Sequence, residues 1–381
     1  MREVGSRKPR ITSVERLKFA LLAEGLTITA RALRYLDERN EGRALTPADY
    51  ASTSGVILEL DGRVWVNAPI AEHNPNFVHE TSAVLDFIDD RLVTRAPGVE
   101  CSAAFWLPPK YHGTTGSDAT PHNNYVFTHG DRARVAPVRG CAMTCKFCNV
   151  PYEDRYGTKP VDRLLEAARV ALADPLQPAH HILISGGTPK AADHDYLGEV
   201  YESLCAAFPA VSIDVMMVPI ERVLEPVWLH GLGIHELSVN LELFNDGVAR
   251  RLMRQKHAQG LDYYLNYLER AASVFGGNRV RSMLMVGLES LEDTLRGVEA
   301  IARRGCTPVL SPFRPDPATP LASTPPPGAA LLEEAFVRAT DVTTDLGVDL
   351  GPRCLPCTHN TLSFGADAGR AVFVHPRPAM I

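Results

Sequence analysis

Between residues 13 and 39, Leu17, Leu21, Leu22, Leu26, Leu33 and Leu36 recur at helical spacing, which predicts two helices broken near Gly25-Leu26-Thr27. Val56-Ile57-Leu58-Glu59-Leu60 and Val64-Trp65-Val66 flank Asp61-Gly62, a dipeptide that supplies the positive φ angles of a hairpin turn. Residues 82–89 read as a short helix, and residues 97–124, rich in Gly, Pro and His without a period, as a long loop. The first twelve or so residues look frayed. Further on the pattern changes, and short apolar runs alternate with longer amphipathic ones. The runs at 134–138, 181–185, 212–218, 236–241, 280–286 and 308–312 read as strands. Helices are expected at 161–173, 196–208, 221–230, 262–275, 292–304 and 330–346.

Strands alternating with helices in this way make parallel βαβ units, and short apolar strands suit burial on both faces. The fold class expected is α/β, a partial (β/α)6 TIM-type barrel over residues 131–320. An N-terminal α+β cap (1–130) precedes it, and a C-terminal helix and cysteine-bearing tail (321–381) follow. Functional groups in such barrels gather at the C-terminal ends of the strands. The polar and glycine-rich residues fall there: a cysteine loop after the first strand, Gly186-Gly187-Thr188 after the second, Asn240 and Glu242 on the fourth, Gly287 and Glu289 after the fifth, Arg314 after the sixth. They should share one mouth.

Composition narrows the partners. A net charge of −6 with no long basic block argues against nucleic acid, because backbone binding needs a concentrated basic face. The clusters at 2–10 and 250–256 are too short to change that. No apolar run approaches the roughly 18–20 residues that span a bilayer, and the basic N-terminus lacks the apolar core of a secretory signal. The cytoplasm is the expected location, with no membrane partner. Reduced thiols there serve metals or catalysis more often than disulfides, which bears on the eight cysteines. Cys101, Cys205 and Cys306 are isolated and read as buried small hydrophobes.

Cys141, Cys145 and Cys148 stand in C-x3-C-x2-C spacing. Three thiols so placed hold three irons of a 4Fe-4S cluster and leave the fourth iron open to a ligand. A structural zinc site with a remote fourth ligand is the alternative, although zinc sites usually pair their cysteines twice. The motif resembles the signature of the radical S-adenosylmethionine (SAM) superfamily. The resemblance covers about half the chain and implies that SAM chelates the open iron. An electron from the cluster then cleaves SAM to a 5′-deoxyadenosyl radical, which abstracts hydrogen from a small-molecule substrate. It also implies an external one-electron donor of flavodoxin or ferredoxin kind.

Carried onto this sequence, the family pattern puts Phe147 near the SAM adenine and Gly186, Gly187 and Thr188 at the glycine-rich turn that takes the SAM ammonium. Asn240 and Glu242 alternate along a strand, so both should point into the barrel, toward the ribose or ammonium. Arg250 and Arg254 should share a helix face, and Arg254 is the residue expected against the SAM carboxylate, with a solvated basic helix as the alternative. Gly287 resembles the fifth-strand glycine that backs the adenine. Asn240 to Asn245, the basic stretch after it and Val286-Gly287-Leu288-Glu289 look most like the biotin-synthase branch. Arg314 suits a carboxylate of SAM or substrate, with an inter-loop contact as its alternative.

Cys354-Leu355-Pro356-Cys357-Thr358-His359-Asn360 follows residues 348–351, which could form a seventh strand rising to the same mouth. Cys354, Cys357 and His359 could then ligate an auxiliary iron–sulfur cluster, for sulfur insertion or electron relay, and Asn360 could meet substrate. A zinc knuckle, a redox pair or thiols packing the barrel's base remain open. His112, His122, His129, His180, His181, His230, His235 and His257 have no partner visible in sequence. A non-catalytic redox-sensing or scaffold protein is the rival to an enzyme. Substrate and reaction class, whether lyase, isomerase, sulfurtransferase or oxidoreductase, stay open.

Overall fold

Thr12 opens the first helix with a capping box: its hydroxyl accepts from Glu15 N, and the Glu15 carboxylate accepts from Thr12 N at 2.6 Å. In this computed structural model, residues 11–46, 55–70, 80–365 and 379–381 are described; the basic stretch at 2–10 lies outside them. Helix α1 (Ser13–Glu24) leads to β1 (Thr27–Ile28) and α2 (Ala30–Arg39), so the break near residue 25 is where the glycine stands. The expected hairpin forms from β2 (Gly55–Leu60) and β3 (Val64–Pro69), with Asp61 and Gly62 at φ 47° and 65°.

Two expectations for this region fail. Residues 82–89 are not a helix but contain strand β4 (Val84–Ile88), which turns through Asp89 and Asp90 into β5 (Arg91–Ala96). Both aspartates have positive φ, 49° and 60°, a turn chemistry that lacks the Asp-Gly signal. The supposed loop at 97–124 contains β6 (Val99–Phe105). Together these strands form a sheet ordered β1-β4-β5-β6-β2-β3.

The second sheet starts with β7 (Val126–His129), antiparallel to β8 (Arg132–Val135). β9 (Val138–Arg139) and β10 (Gly157–Thr158) form a small ladder of their own, with the cysteine loop and α3 (Val150–Glu153) between them. Then helix and strand alternate as expected: α4 (Val161–Leu172), β11 (His181–Ser185), α5 (His194–Ala207), β12 (Ser212–Met216), α6 (Pro226–Gly231) and β13 (Glu236–Ser238). α7 (Asp246–Leu252), α8 (Arg254–Gln259) and α9 (Leu261–Phe275) precede β14 (Val280–Val286). α10 (Leu291–Ala302), β15 (Thr307–Pro312) and α11 (Ala329–Asp345) close the series. The strand order β15-β14-β13-β12-β11-β8-β7 is parallel from β15 to β8. This is the partial barrel the pattern predicts, with β7 added at its edge.

α6 starts five residues later than expected because Pro226 opens it, and a residue before proline is turned away from helical angles. Along each barrel strand alternate residues divide between two environments. Ala133, Val135, Ile182, Ile184, Leu284 and Val286 join the core shared with the helices. Alternation then leaves Arg132, Arg134, Asp214 and Arg281 for the barrel interior. None of the described helices is long and apolar enough to cross a membrane.

The N-terminal unit is bound to the barrel by polar contacts as well as packing. Lys18, fully buried on α1, donates to the carbonyls of Thr358 and Ser363 at 2.9 and 2.6 Å. Ile57, Trp65 and Trp106 pack with Leu355 of the tail. The expected seventh strand is reduced to one parallel bridge, Val309 to Gly351.

Candidate active site

The cysteine loop is pinched at its base by the β9–β10 ladder. Gly140 starts it at φ 59°, where a Cβ would lie 2.8 Å from the carbonyl oxygen of Asp154, so only glycine fits. On one side the turn after β11 docks onto the loop. Thr188 N donates to Cys141 Sγ at 3.1 Å, and Ala142 N donates to Thr188 O at 2.9 Å. A Cβ on Gly187 would sit 1.8 Å from Gly140 O, which explains the glycine there. On the other side Lys146 N donates to Leu252 O at 2.8 Å, and Thr144 Oγ1 donates to Gln255 at 3.1 Å. Two neighbours in space therefore fix the loop.

None of the three loop cysteines is in a disulfide. Met143 N also donates to Cys141 Sγ, at 3.3 Å. Burial pushes the thiols of Cys145 and Cys148 up, to about 12 and about 11. A metal bound there would take the sulfurs as thiolates and release their protons. Three free thiols in one clamped loop, one already accepting two N–H bonds, are a donor set that fits a three-cysteine iron–sulfur cluster.

Glu242 lies four residues past the end of β13, in a parallel bridge to Leu284 of β14. The expected simple alternation with Asn240 does not hold, because Glu242 has φ 66° while its N–H and C=O still bond Met283 and Met285. Its carboxylate Oε1 is 3.3 Å from Lys256 Nζ, and Oε2 is buried with no hydrogen bond among the described residues. The carboxylate is close enough to Cys145 and Cys148 to act on their ionisation. An orphaned acceptor there fits a ligand that brings its own donor, as the ammonium or ribose of SAM would. Asn240 is buried too, but its Oδ1 accepts from Ser238 Oγ at 2.9 Å and Met283 N at 3.2 Å.

The basic stretch is placed differently from expectation. α7 and α8 are separate helices broken at Met253, so Arg250 and Arg254 do not share one helix face, and Arg254 is exposed. The buried base is Lys256, which also lies 5.5 Å over the Tyr264 ring. Spacing could not choose among four cations in seven residues. Phe147 is half-buried against the cluster of Leu243, Ala249, Leu252 and Met253. Gly186 packs by Ala136, and Gly287 lies against Pro327.

Arg314 is buried, and its Nη2 donates to Asn67 O of the N-terminal sheet at 2.6 Å. Burial pulls its guanidinium down to about 9. That matches the inter-loop alternative more closely than a carboxylate contact. Asn360 is half-buried, and its carbonyl accepts from Ser311 Oγ at 3.1 Å. One functional candidate was missed. Arg134 faces the barrel interior near Cys148, and among the described residues no hydrogen bond or ion pair engages its guanidinium. The alternation of Arg132 and Arg134 with Ala133 and Val135 was its only signal.

The tail does not rise to this mouth. Cys354 and Cys357 lie beside Asp131, which precedes β8, and His181, which starts β11. That is the opposite, N-terminal end of the strands. His359 is buried with both ring nitrogens lacking hydrogen bonds among the described residues, its ring 6.5 Å from that of His129. Burial pulls it down to about 3. The residues that join the two thiols are Asp131 and His181. Register is the reason: Arg132 pairs with His181, which brings the starts of two distant strands together.

Residues 135–310 match the sequence profile of the Radical SAM superfamily. Bacteriochlorophyllide c C-7(1)-hydroxylase of Chlorobaculum limnaeum is 29% identical over 112 residues, 29% of this chain. The match spans 28% of that relative's length. Among solved structures, the FeFe-hydrogenase maturase HydG from Carboxydothermus hydrogenoformans is similar at TM-score 0.47 and 18% identity, over 58% of this chain and 54% of that one. A radical SAM methyltransferase from Sphaerobacter thermophilus gives TM-score 0.43 and 17% identity, over 72% and 77%. Residues 135–310, the barrel with its cysteine loop, are a radical SAM domain.

Proposed function

We propose that this protein is a radical SAM enzyme that removes hydrogen from a small-molecule substrate. Cys141, Cys145 and Cys148 would hold the 4Fe-4S cluster. When bound, the cluster and SAM supply a one-electron cleavage that yields a radical able to attack a carbon–hydrogen bond. The residues around them bind and orient. Met143 N and Thr188 N place hydrogen bonds on the Cys141 sulfur, which tunes a cluster's potential. Glu242 offers its free Oε2 to the SAM ammonium or ribose, while Lys256 balances the carboxylate's charge. Gly187 lets the turn that carries Gly186 and Thr188 dock against the cysteine loop, and Asn240, held to β14, shapes the wall. Arg134, facing the interior, would suit an anionic group on the substrate. The hydroxylation named for the curated relative is one reaction that starts at a carbon–hydrogen bond; the electron donor would be an external protein.

The observation that carries this reading is the orphaned Glu242 Oε2 beside the clamped cysteine loop. The test is anaerobic reconstitution with iron and sulfide, reduction in the presence of SAM, and assay for 5′-deoxyadenosine. Wild-type protein should form it and Cys145→Ala should not. A sample with an intact cluster that binds no SAM and forms none would overturn the proposal.

A further inference from the structure

The opposite end of the barrel holds a second group of ligand-type side chains. Asp131, His181, Cys354 and Cys357 each present one donor atom, and the four atoms lie within 4.8 Å of one another. Cys354 Sγ is 3.4 Å and Cys357 Sγ 3.8 Å from Asp131 Oδ1. Cys357 Sγ is 3.7 Å from His181 Nε2, and His181 Nδ1 is 3.7 Å from Asp131 Oδ2. The sulfur contacts are of hydrogen-bond length for a thiol, whereas 3.7 Å between imidazole and carboxylate is long for an N–H···O bond. With one donor atom from each residue, the four atoms lie within 4.8 Å of one another, a spread that a central ion would draw in to a coordination tetrahedron. Ligands about 2.0–2.3 Å from a zinc ion stand about 3.3–3.8 Å from one another.

Two further observations point to a ligand. Asp131 is fully buried, and its Oδ2 has no hydrogen bond among the described residues. A cavity of about 30 Å³ adjoins the group, lined by His181, Cys354 and Cys357 with Arg132, Asp214 and Arg281. A site of that size has room for one ion or water.

We propose that Asp131, His181, Cys354 and Cys357 bind a single tetrahedral metal ion, zinc by its donor set, which staples the C-terminal tail to the base of the barrel. Two sulfurs, one nitrogen and one oxygen are all zinc ligands, and a closed four-ligand set is the structural rather than the catalytic type. Donors converging on one point surround one ion, whereas an iron–sulfur cluster spreads its ligands over several irons. The ion displaces the two thiol protons to solvent. Two thiolates and a carboxylate against a divalent ion leave one negative charge, which faces Arg132. The ion would join strand starts near residues 131 and 181 to the tail at 354–357.

The test uses the full chain carrying Cys141→Ala, Cys145→Ala and Cys148→Ala, so its outcome does not depend on the radical SAM reading. Purified under reducing conditions, it should retain about one zinc per chain and no acid-labile sulfide. Cobalt exchanged into the site should show tetrahedral ligand-field bands with thiolate charge transfer, a readout that needs no substitution at the base. Adding Cys357→Ser should reduce the metal content to about a tenth or less, and adding Asp131→Asn should weaken zinc affinity about tenfold or more. Several irons with matching sulfide would overturn the proposal. So would a Cys354–Cys357 disulfide that takes up no metal after reduction and zinc titration, or full zinc retention in Cys357→Ser.

Discussion

Lys256 Nζ stands 3.3 Å from Glu242 Oε1, which leaves the second carboxylate oxygen of Glu242 buried and unsatisfied beside the cysteine loop. If that oxygen receives a donor from SAM, Glu242→Gln should weaken SAM binding by about 2 kcal/mol, the worth of a hydrogen bond to a charged group. Iron content should stay at the wild-type value. Equilibrium binding of SAM to the reconstituted protein checks this, and unchanged affinity would remove Glu242 from the site.

The close approach of Gly187 to the cysteine loop makes a paired prediction. Gly187→Ala puts a Cβ 1.8 Å from Gly140 O, whereas the nearest atom to a Cβ on Gly186 is 3.4 Å away, on Ala136. Gly187→Ala should cost about 2 kcal/mol in folding or in displacement of the loop. Gly186→Ala should cost much less. Thermal melting and cluster content of the two variants separate them; equal effects would argue against loop docking.

Arg314 should behave as a joint between the units. Its bond to the Asn67 carbonyl is buried, so Arg314→Met should lower stability by about 2 kcal/mol and leave SAM affinity unchanged. Lost SAM affinity at unchanged melting temperature would restore the carboxylate-binding role.

The turn at Asp89-Asp90 gives a test of the N-terminal sheet. A β-branched residue at φ 60° is strained, so Asp90→Val should destabilise by about 1–2 kcal/mol, measured by denaturant unfolding. Asp90→Gly should not. In a helix, the glycine would be the worse of the two.

The barrel could be read before folding because each strand and helix carries its own period. Five of the six parallel strands start within a residue of the expected position, whereas β8 starts two residues before the run at 134–138 because Arg132 and Arg134 alternate with its core residues; Cys141, Cys145 and Cys148 lie within eight residues of one another. Such information is local. It failed where local signals were weak or shared: Val84–Ile88 has no clean alternation, and its Asp-Asp turn is rare.

What only the tertiary structure decided was pairing across long separations. The choice of Lys256 over Arg254 depends on a helix break at Met253 and on which cation reaches Glu242. The tail's position depends on the register that sets Asp131 beside His181, more than 170 residues before Cys354. Sequence alone therefore determined the barrel and the cysteine loop at one end. Which residues complete that site, and that Cys354 and Cys357 gather at the other end, follows from strand register and packing, which no local pattern encodes.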